Sequence, residues 1–336
     1  MTAPMTRRAD PREAVVGVVL AGLLVGVAVL TLTLGELGIP LADLPGALAG
    51  GASGTERFVL EALRGPRMLV GLGAGAAFAV SGALFQTVTR NPLGSPDVIG
   101  LTAGAGAGAA AASLLWSGTV PIPVGAAAGA LAAAAAVYLT TGHGFSSPGH
   151  LIIAGIGVSA MAVALIQYVV LVGQRDQSLA LAGYLVGSLS ARTWLNVAVV
   201  WTGLVVLLPV ALALTRRVEL LELGDDLAEA LGASTRHTRW WAVVVAVALA
   251  TVAVAVSGPI AFVALTAPQV AKRLARSPGM HLLLSALTGA LLLCLADLLV
   301  QQAPVVTDLP VGVVTAGLGG GYLGWLLVRE WKKGTL

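Results

Sequence analysis

Apolar stretches of about 20 residues, enough to cross a bilayer core of about 30 Å as helices, follow one another along the chain with short polar breaks. The breaks separate ten of them, near residues 14–34, 67–88, 98–116, 120–141, 151–173, 194–214, 239–257, 260–271, 281–300 and 310–329. This pattern predicts an all-α membrane protein whose ten transmembrane helices form one compact bundle, with residues 1–336 as a single domain. The 260–271 stretch is short. Because ten is even, both ends of the chain share one side. The first stretch exceeds a typical signal-peptide core of about 7–15 residues and no A-x-A site follows it, so it reads as a retained span.

Charge then sets the expected orientation. Of the 19 lysines and arginines, fourteen fall on the side of the N-terminus, and only Arg57, Arg64, Arg67, Arg175 and Arg192 fall on the other. By the positive-inside rule both termini are cytoplasmic, in a plasma (inner) membrane. The basic excess is thereby explained by lipid surfaces, with no nucleic acid involved.

Composition agrees and removes alternatives. Hydrophobic residues make up 57% of the chain and charged ones 10%, against roughly 25% charged in a soluble domain, so a soluble enzyme is excluded. The 43 glycines show no Gly-X-Y period. They point to helices packed through small side chains, and the pairs Gly71/Gly75, Gly104/Gly108, Gly125/Gly129 and Gly317/Gly321 read as packing faces. A single cysteine, Cys294, allows neither a disulfide framework nor a Cys-based metal site.

Reactive chemistry is sparse. No G-x-x-x-x-G-K-[ST], HExxH or CxxC occurs, so the chain does not bind ATP in the phosphate-loop manner, and no cofactor or metal is expected on it. His143, His150, His237 and His281 fall at loops or helix ends and read as solvated. Asp297 is the one acid well inside a span. It is either the buried carboxylate of an ion-coupled carrier or a structural hydrogen-bonding group.

Polar residues gather in a few places. The stretch 215–239 holds nine of the chain's charges, with 215–238 as the longest loop on the N-terminal side. Gly224, Asp225 and Asp226 can open a short helix through an aspartate cap, and Leu231-Gly232 can close it with a left-handed glycine. Ala228 and Ala230 on that helix would suit a partner's groove; a solvated loop is the alternative. On the opposite side, Arg64-Gly-Pro-Arg67 suits either bidentate capture of a partner's carboxylates or interfacial anchoring, and the residues alone favour anchoring. Arg90-Asn91-Pro92-Leu93-Gly94-Ser95-Pro96-Asp97 must form a tight non-helical turn, and Ser257-Gly258-Pro259-Ile260 must reverse the chain before the short span. A half-helix of this kind is tolerated only inside protein or beside a cavity, which places a translocation pathway nearby.

Arg64-x-Pro66-Arg67, Gly75-Ala76-Ala77 through Ser81-Gly82 to Gln86, Arg90-Asn91-Pro92-Leu93, Pro96 and Gly100 together resemble the second and third helices of FecCD-type permeases. These are membrane subunits of ABC importers for ferric siderophores, haem and cobalamin. Gly224, Ala228, Leu231-Gly232, Gly258 through Leu265, Pro268, Ala296-Asp297, Leu309-Pro310-Val311-Gly312 and Gly317 extend the resemblance from about Arg57 to Arg329. The stretches Asn91–Val98, Gly224–Asp226, Gln301-Gln302 and Leu318–Leu323 are similar to the ferric enterobactin branch of that family, which implies a heterodimer with a second permease.

The resemblance implies roles. Gly224, Asp225, Asp226, Ala228, Glu229, Leu231 and Gly232 would couple to the ATPase. Arg64, Arg67, Gln301 and Asp308 would meet an extracytoplasmic substrate-binding protein. Ser147, Pro148, Gly155, Ser159, Gln167, Pro268 and Gln269 would form the gate and pathway, and Asn91, Pro92 and Asp297 would be structural polar residues. Gln269, Gln301 and Asp308 depart from residues common in the family (histidine, arginine and glutamate). The implied function is a permease subunit that moves a ferric siderophore inward by alternating access, with ATP-Mg hydrolysed on two separate ATPase subunits. A haem or cobalamin permease, an ion-coupled carrier using Asp297, and a scaffold or channel without vectorial transport are the alternatives.

Overall fold

In a computed structural model the chain is helical almost throughout, with no strand among the described residues, which are 11–116, 118–141, 148–172, 175–277, 279–303 and 309–332. The helices are α1 (Pro11–Thr33), α2 (Gly65–Thr89), α3 (Leu101–Ala110), α4 (Ile122–Thr140), α5 (Pro148–Val172) and α6 (Arg175–Val186). They are followed by α7 (Trp194–Leu220), α8 (Asp225–Ala230), α9 (Thr235–Ser257), α10 (Val263–Ala275), α11 (Leu282–Gln302) and α12 (Val311–Lys332). Short helical pieces over 44–63 join α1 to α2, and hydropathy gives no sign of them or of α6.

Helices occupy all ten apolar stretches, but among the described residues seven are long and apolar enough to cross a membrane: those of α1, α2, α4, α5, α7, α9 and α11. Seven crossings, not ten, are therefore what length and apolar content show. The shortfall has a geometric cause in two of the three remaining helices. α3 continues through a wider turn only as far as Leu115. α10 has 13 residues, a rise of about 20 Å against a hydrocarbon core of about 30 Å.

Local chemistry fixes the ends that matter. α2 opens with Pro66 in its first turn and stops at Arg90, whose φ of 50° is left-handed. Asn91-Pro92 then forbids continuation, because a residue before proline is pushed out of the helical region. Asn91 Oδ1 accepts the Leu93 N–H at 2.9 Å and holds the turn. Before α10 the reversal passes through Gly258 (φ 73°) and Phe262 (φ 69°); a β-carbon on Gly258 would lie 2.4 Å from the Tyr184 carbonyl oxygen.

α2 is the central rod, buried along most of its length and packed against α7, α9, α10 and α11. Gly75 of α2 meets Gly289 of α11 backbone to backbone: a β-carbon on either would stand 2.4 or 2.3 Å from the other's carbonyl oxygen. α3 and α4 repeat the device with Gly104 and Gly108 against Gly129 and Gly125. Three of the four small-residue pairs thus serve packing inside the chain. The fourth does not, since a methyl group placed on Gly317 or Gly321 of α12 would meet nothing within 4 Å.

Gly289→Ala should lower stability by about 2 kcal/mol, the usual cost of overpacking a tight core contact, whereas Gly317→Ala should leave the isolated chain unchanged. Thermal unfolding of the two purified variants in detergent checks this contrast; equal midpoints would show that the α2–α11 contact yields easily.

Candidate functional site

Both ends of α2 carry polar constellations. At its N-terminal end Arg67 grips Asp297 of α11 in bidentate fashion, with Nε at 3.0 Å from both carboxylate oxygens and Nη2 at 2.7 Å from Oδ1. Gln301, one helical turn after Asp297, donates to its Oδ2 at 2.7 Å. The Asp297 side chain is 4% exposed and that of Arg67 17%. A buried carboxylate with a fixed guanidinium and an amide donor has its charge and its lone pairs satisfied. That is a structural role for Asp297.

Arg64 is buried at the same end. Its Nη1 donates to the carbonyls of Thr31 at 2.8 Å, of Leu32 at 3.4 Å and of Leu34, groups left without helical partners where α1 ends. The interfacial-anchor reading of Arg64 and Arg67 therefore fails: one guanidinium caps α1 and the other locks α11. Between these elements opens a concavity of about 450 Å³ lined by Leu63, Arg64, Arg67, Ser188, Gln301 and Pro310. Three of the four residues expected to meet a binding protein, Arg64, Arg67 and Gln301, are thus brought together; Asp308 lies outside the described residues.

At the C-terminal end of α2 stands α8. Gly224 (φ 103°) opens it and Gly232 (φ 84°) closes it, as the glycine spacing implies. The aspartate cap is absent, however, and no side chain caps α8. Asp225 instead holds two arginines, Arg90 from α2 and Arg239 from α9, the latter with Nη2 at 2.9 and 3.2 Å from its oxygens. Burial opposes ionisation of Asp225, but Arg239 and Arg90 outweigh it and hold the carboxyl below its ordinary value. Arg90 Nε also donates to the Leu221 carbonyl at 2.6 Å, and Thr235 donates to Glu229 at 2.6 Å. α8 is thereby clamped to the bundle.

The face it presents differs from the expected one. Ala228 is wholly buried against the bundle and cannot enter a partner's groove, whereas Leu223, Leu227 and Leu231 are 54%, 58% and 61% exposed. Their spacing of four places them on one side of the α8 region. A run of leucines on a polar loop is a stronger docking signal than the alanines, but it becomes legible only when Ala228 is seen to point inward.

The remaining candidates separate. Gln269 Nε2 donates to Gln86 Oε1 at 2.6 Å and to the Pro92 carbonyl at 3.3 Å, while Gln86 donates to the Leu265 carbonyl at 2.9 Å. This chain ties α10, with Pro268 buried in it, to α2 and its turn. Gln86 is part of the family motif, yet sequence alone gives it no role. Gly155 is a packing residue, since a β-carbon there would lie 1.8 Å from the Val98 carbonyl oxygen, and Ser159 sits against Gly100. Gln167 is exposed on α5. Pro148 begins α5, and Ser147 lies outside the described residues. Asp97, in the turn beneath α5, accepts from Thr102 and Ser95; burial pushes its carboxyl up despite those two bonds.

The sequence profile of the FecCD transport family matches residues 23–329. The chain belongs to that family. Among its relatives, the Escherichia coli (strain K12) ferric enterobactin transport system permease protein FepG is 39% identical over 85% of this chain and 87% of its own length. The Fe(3+) dicitrate transport system permease protein FecD of the same organism is 38% identical over 91% of this chain and 96% of its own. A solved structure described as a metal-chelate type ABC transporter in an inward-facing conformation superposes with a TM-score of 0.82. It is 25% identical and covers 94% of this FecCD chain and 99% of its own.

Two expectations follow from the geometry. Asp297→Asn and Arg67→Gln should each destabilise by about 3 kcal/mol through the unpaired buried partner, and the double variant by clearly less than the sum; a thermal-unfolding cycle measures the coupling. Asp225→Asn should free α8, read as faster hydrogen exchange over 221–232. Because the folded carboxyl is held below its ordinary 3.8, the clamp is fully present above that pH and is lost as pH falls through the depressed value. Exchange that is unchanged in the variant would show that Asp225 does not hold the segment.

Proposed function

We propose that this chain is the membrane-spanning permease subunit of an ATP-binding-cassette importer that carries a ferric siderophore into the cytoplasm by alternating access. The family match over residues 23–329 carries this reading, and relatives named for ferric enterobactin and Fe(3+) dicitrate support the substrate class. α3, α10 and α12 complete ten crossings in a single domain with both termini cytoplasmic. A second permease forms a heterodimer with it, and two ATPase subunits bind and hydrolyse ATP-Mg.

On this reading the leucine face of α8 seats on the ATPase. Ion pairs root α8 in α2 and α9, so a push on the leucines reaches helices that run the depth of the bundle. The concavity over Arg64, Arg67 and Gln301 receives acidic groups of the binding protein, with the partly exposed edge of Arg67 as the cation in reach. The bidentate pairing of Asp297 with Arg67, completed by Gln301, supports a structural role for this acid over that of a coupling group in an ion-coupled carrier.

The test is uptake of ferric siderophore into vesicles holding the complete assembly. Uptake should require ATP and should not respond to a proton or sodium gradient alone. With the chain still folded, Leu227→Glu should cut it by about thirtyfold, as loss of an apolar anchor at an interface centre costs about 2 kcal/mol, and Gly232→Asp should lower it by altering the end of α8. Uptake that persists without the ATPase would overturn the assignment.

A further inference from the structure

The hairpin of α7 and α9 that frames α8 has a second concavity, of about 270 Å³, between its two helices. On the α7 side Leu214 and Arg217 line it, one turn apart. On the α9 side Ser234, His237, Thr238 and Trp241 form a stripe at i, i+3, i+4 and i+7. Gly232, the residue that closes α8, also lines it. The polar groups are the exposed Arg217 guanidinium, the hydroxyls of Ser234 and Thr238, and the imidazole of His237, whose Nδ1 shares a hydrogen bond of 2.9 Å with Ser234 Oγ; each of these groups has a proton to donate, and none is an acid.

Acids around the hairpin are held away from it. Asp225 holds Arg90 and Arg239, Glu222 lies 3.6 Å from Lys272, Glu229 accepts from Thr235, and Glu219 accepts the Met280 N–H at 2.9 Å. Asp226 is exposed on α8 and does not line the concavity. The concavity is therefore cationic, and the N-terminus of α9 adds the positive end of its dipole.

Its surroundings change character along the helix axes. Toward the apolar parts of α7 and α9 the same faces continue with Val210, 41% exposed, and Trp241, 49% exposed. Trp241 is braced edge-on by Trp240 at 4.7 Å between ring centroids. A basic polar pocket that passes into an apolar, tryptophan-bearing surface within two helical turns has the profile of the headgroup layer of a membrane.

We propose that this concavity binds the phosphate of an anionic phospholipid, with Arg217 and His237 on the phosphate, Ser234 and Thr238 on its oxygens, and the acyl chains along Val210 and Trp241. A free phosphate would use the donors but not the apolar shelf. Since Gly232 lines the site, the bound lipid lies beside the end of the docking segment. The site does not depend on which substrate is carried.

Binding is measured on the purified full chain in detergent by native mass spectrometry, with phosphatidylglycerol, phosphatidylcholine and inorganic phosphate as separate probes. Phosphatidylglycerol should bind about tenfold more tightly than phosphatidylcholine, and inorganic phosphate in large excess should not displace it. Arg217→Gln with His237→Gln should erase the preference, Arg217→Lys should retain most of it, and Arg236→Gln, off the concavity, should leave it intact. No preference in the parent chain, an equal preference in the double variant, or displacement by inorganic phosphate would each overturn the proposal.

Discussion

The contact on which the rest of the molecule depends is the backbone-to-backbone approach of α2 and α11 at Gly75 and Gly289. In a membrane, water exclusion does not drive helices together; close packing does. With α2 drawn against α11, Arg67 comes within reach of Asp297, and the carboxylate that a lipid-facing helix could not tolerate is satisfied. The same approach leaves the far end of α2 in position for Gln86 to bond α10 and for Arg90 to bond α8. A methyl group at the crossing would loosen both ends at once.

This arrangement makes α2 a shared frame for two surfaces that never touch. The concavity at Arg64 and Arg67 and the clamp at Arg90 and Asp225 stand on opposite ends of one 25-residue helix, separated by about 35 Å of rise. α9 joins the second surface through Arg239 and the first through a C-terminal carbonyl, since the N–H of Ser188, which lines the concavity, donates to the Ser257 carbonyl at 2.8 Å. Movement at either surface is carried by rods that are buried along most of their length, which is the condition for a displacement to arrive undamped.

Much of this is legible in the sequence. Apolar runs locate the helices, the prolines and glycines at 91–100 and 257–262 locate the turns, and the motif residues mark the family. The ends of α8 follow from local chemistry alone. What is not legible depends on which residues meet across the bundle. Arg64 and Arg67 look alike in sequence, yet one caps α1 and the other pairs with Asp297. Asp225 looks like a helix cap and is a bridge between two arginines. Ala228 looks like a docking face and is buried, because the orientation of a six-residue helix is set by its neighbours. Hydropathy counts ten spans where, among the described residues, seven helices meet the length and apolar content a crossing requires. It registers apolar content but not how far a helix rises before it ends.

The single-helix mounting of the two surfaces also limits how the gene can change. Helical phase advances about 100° per residue, so one residue inserted or lost between Arg67 and Arg90 would rotate one of them away from its partner while the other stayed in place. Neither Asp297 nor Asp225 could follow, each being fixed to a different helix. Away from Arg67 and Gln86, substitution along α2 is limited mainly by size, but its length is quantised: the chain can vary in what it carries there more readily than in how many residues it uses.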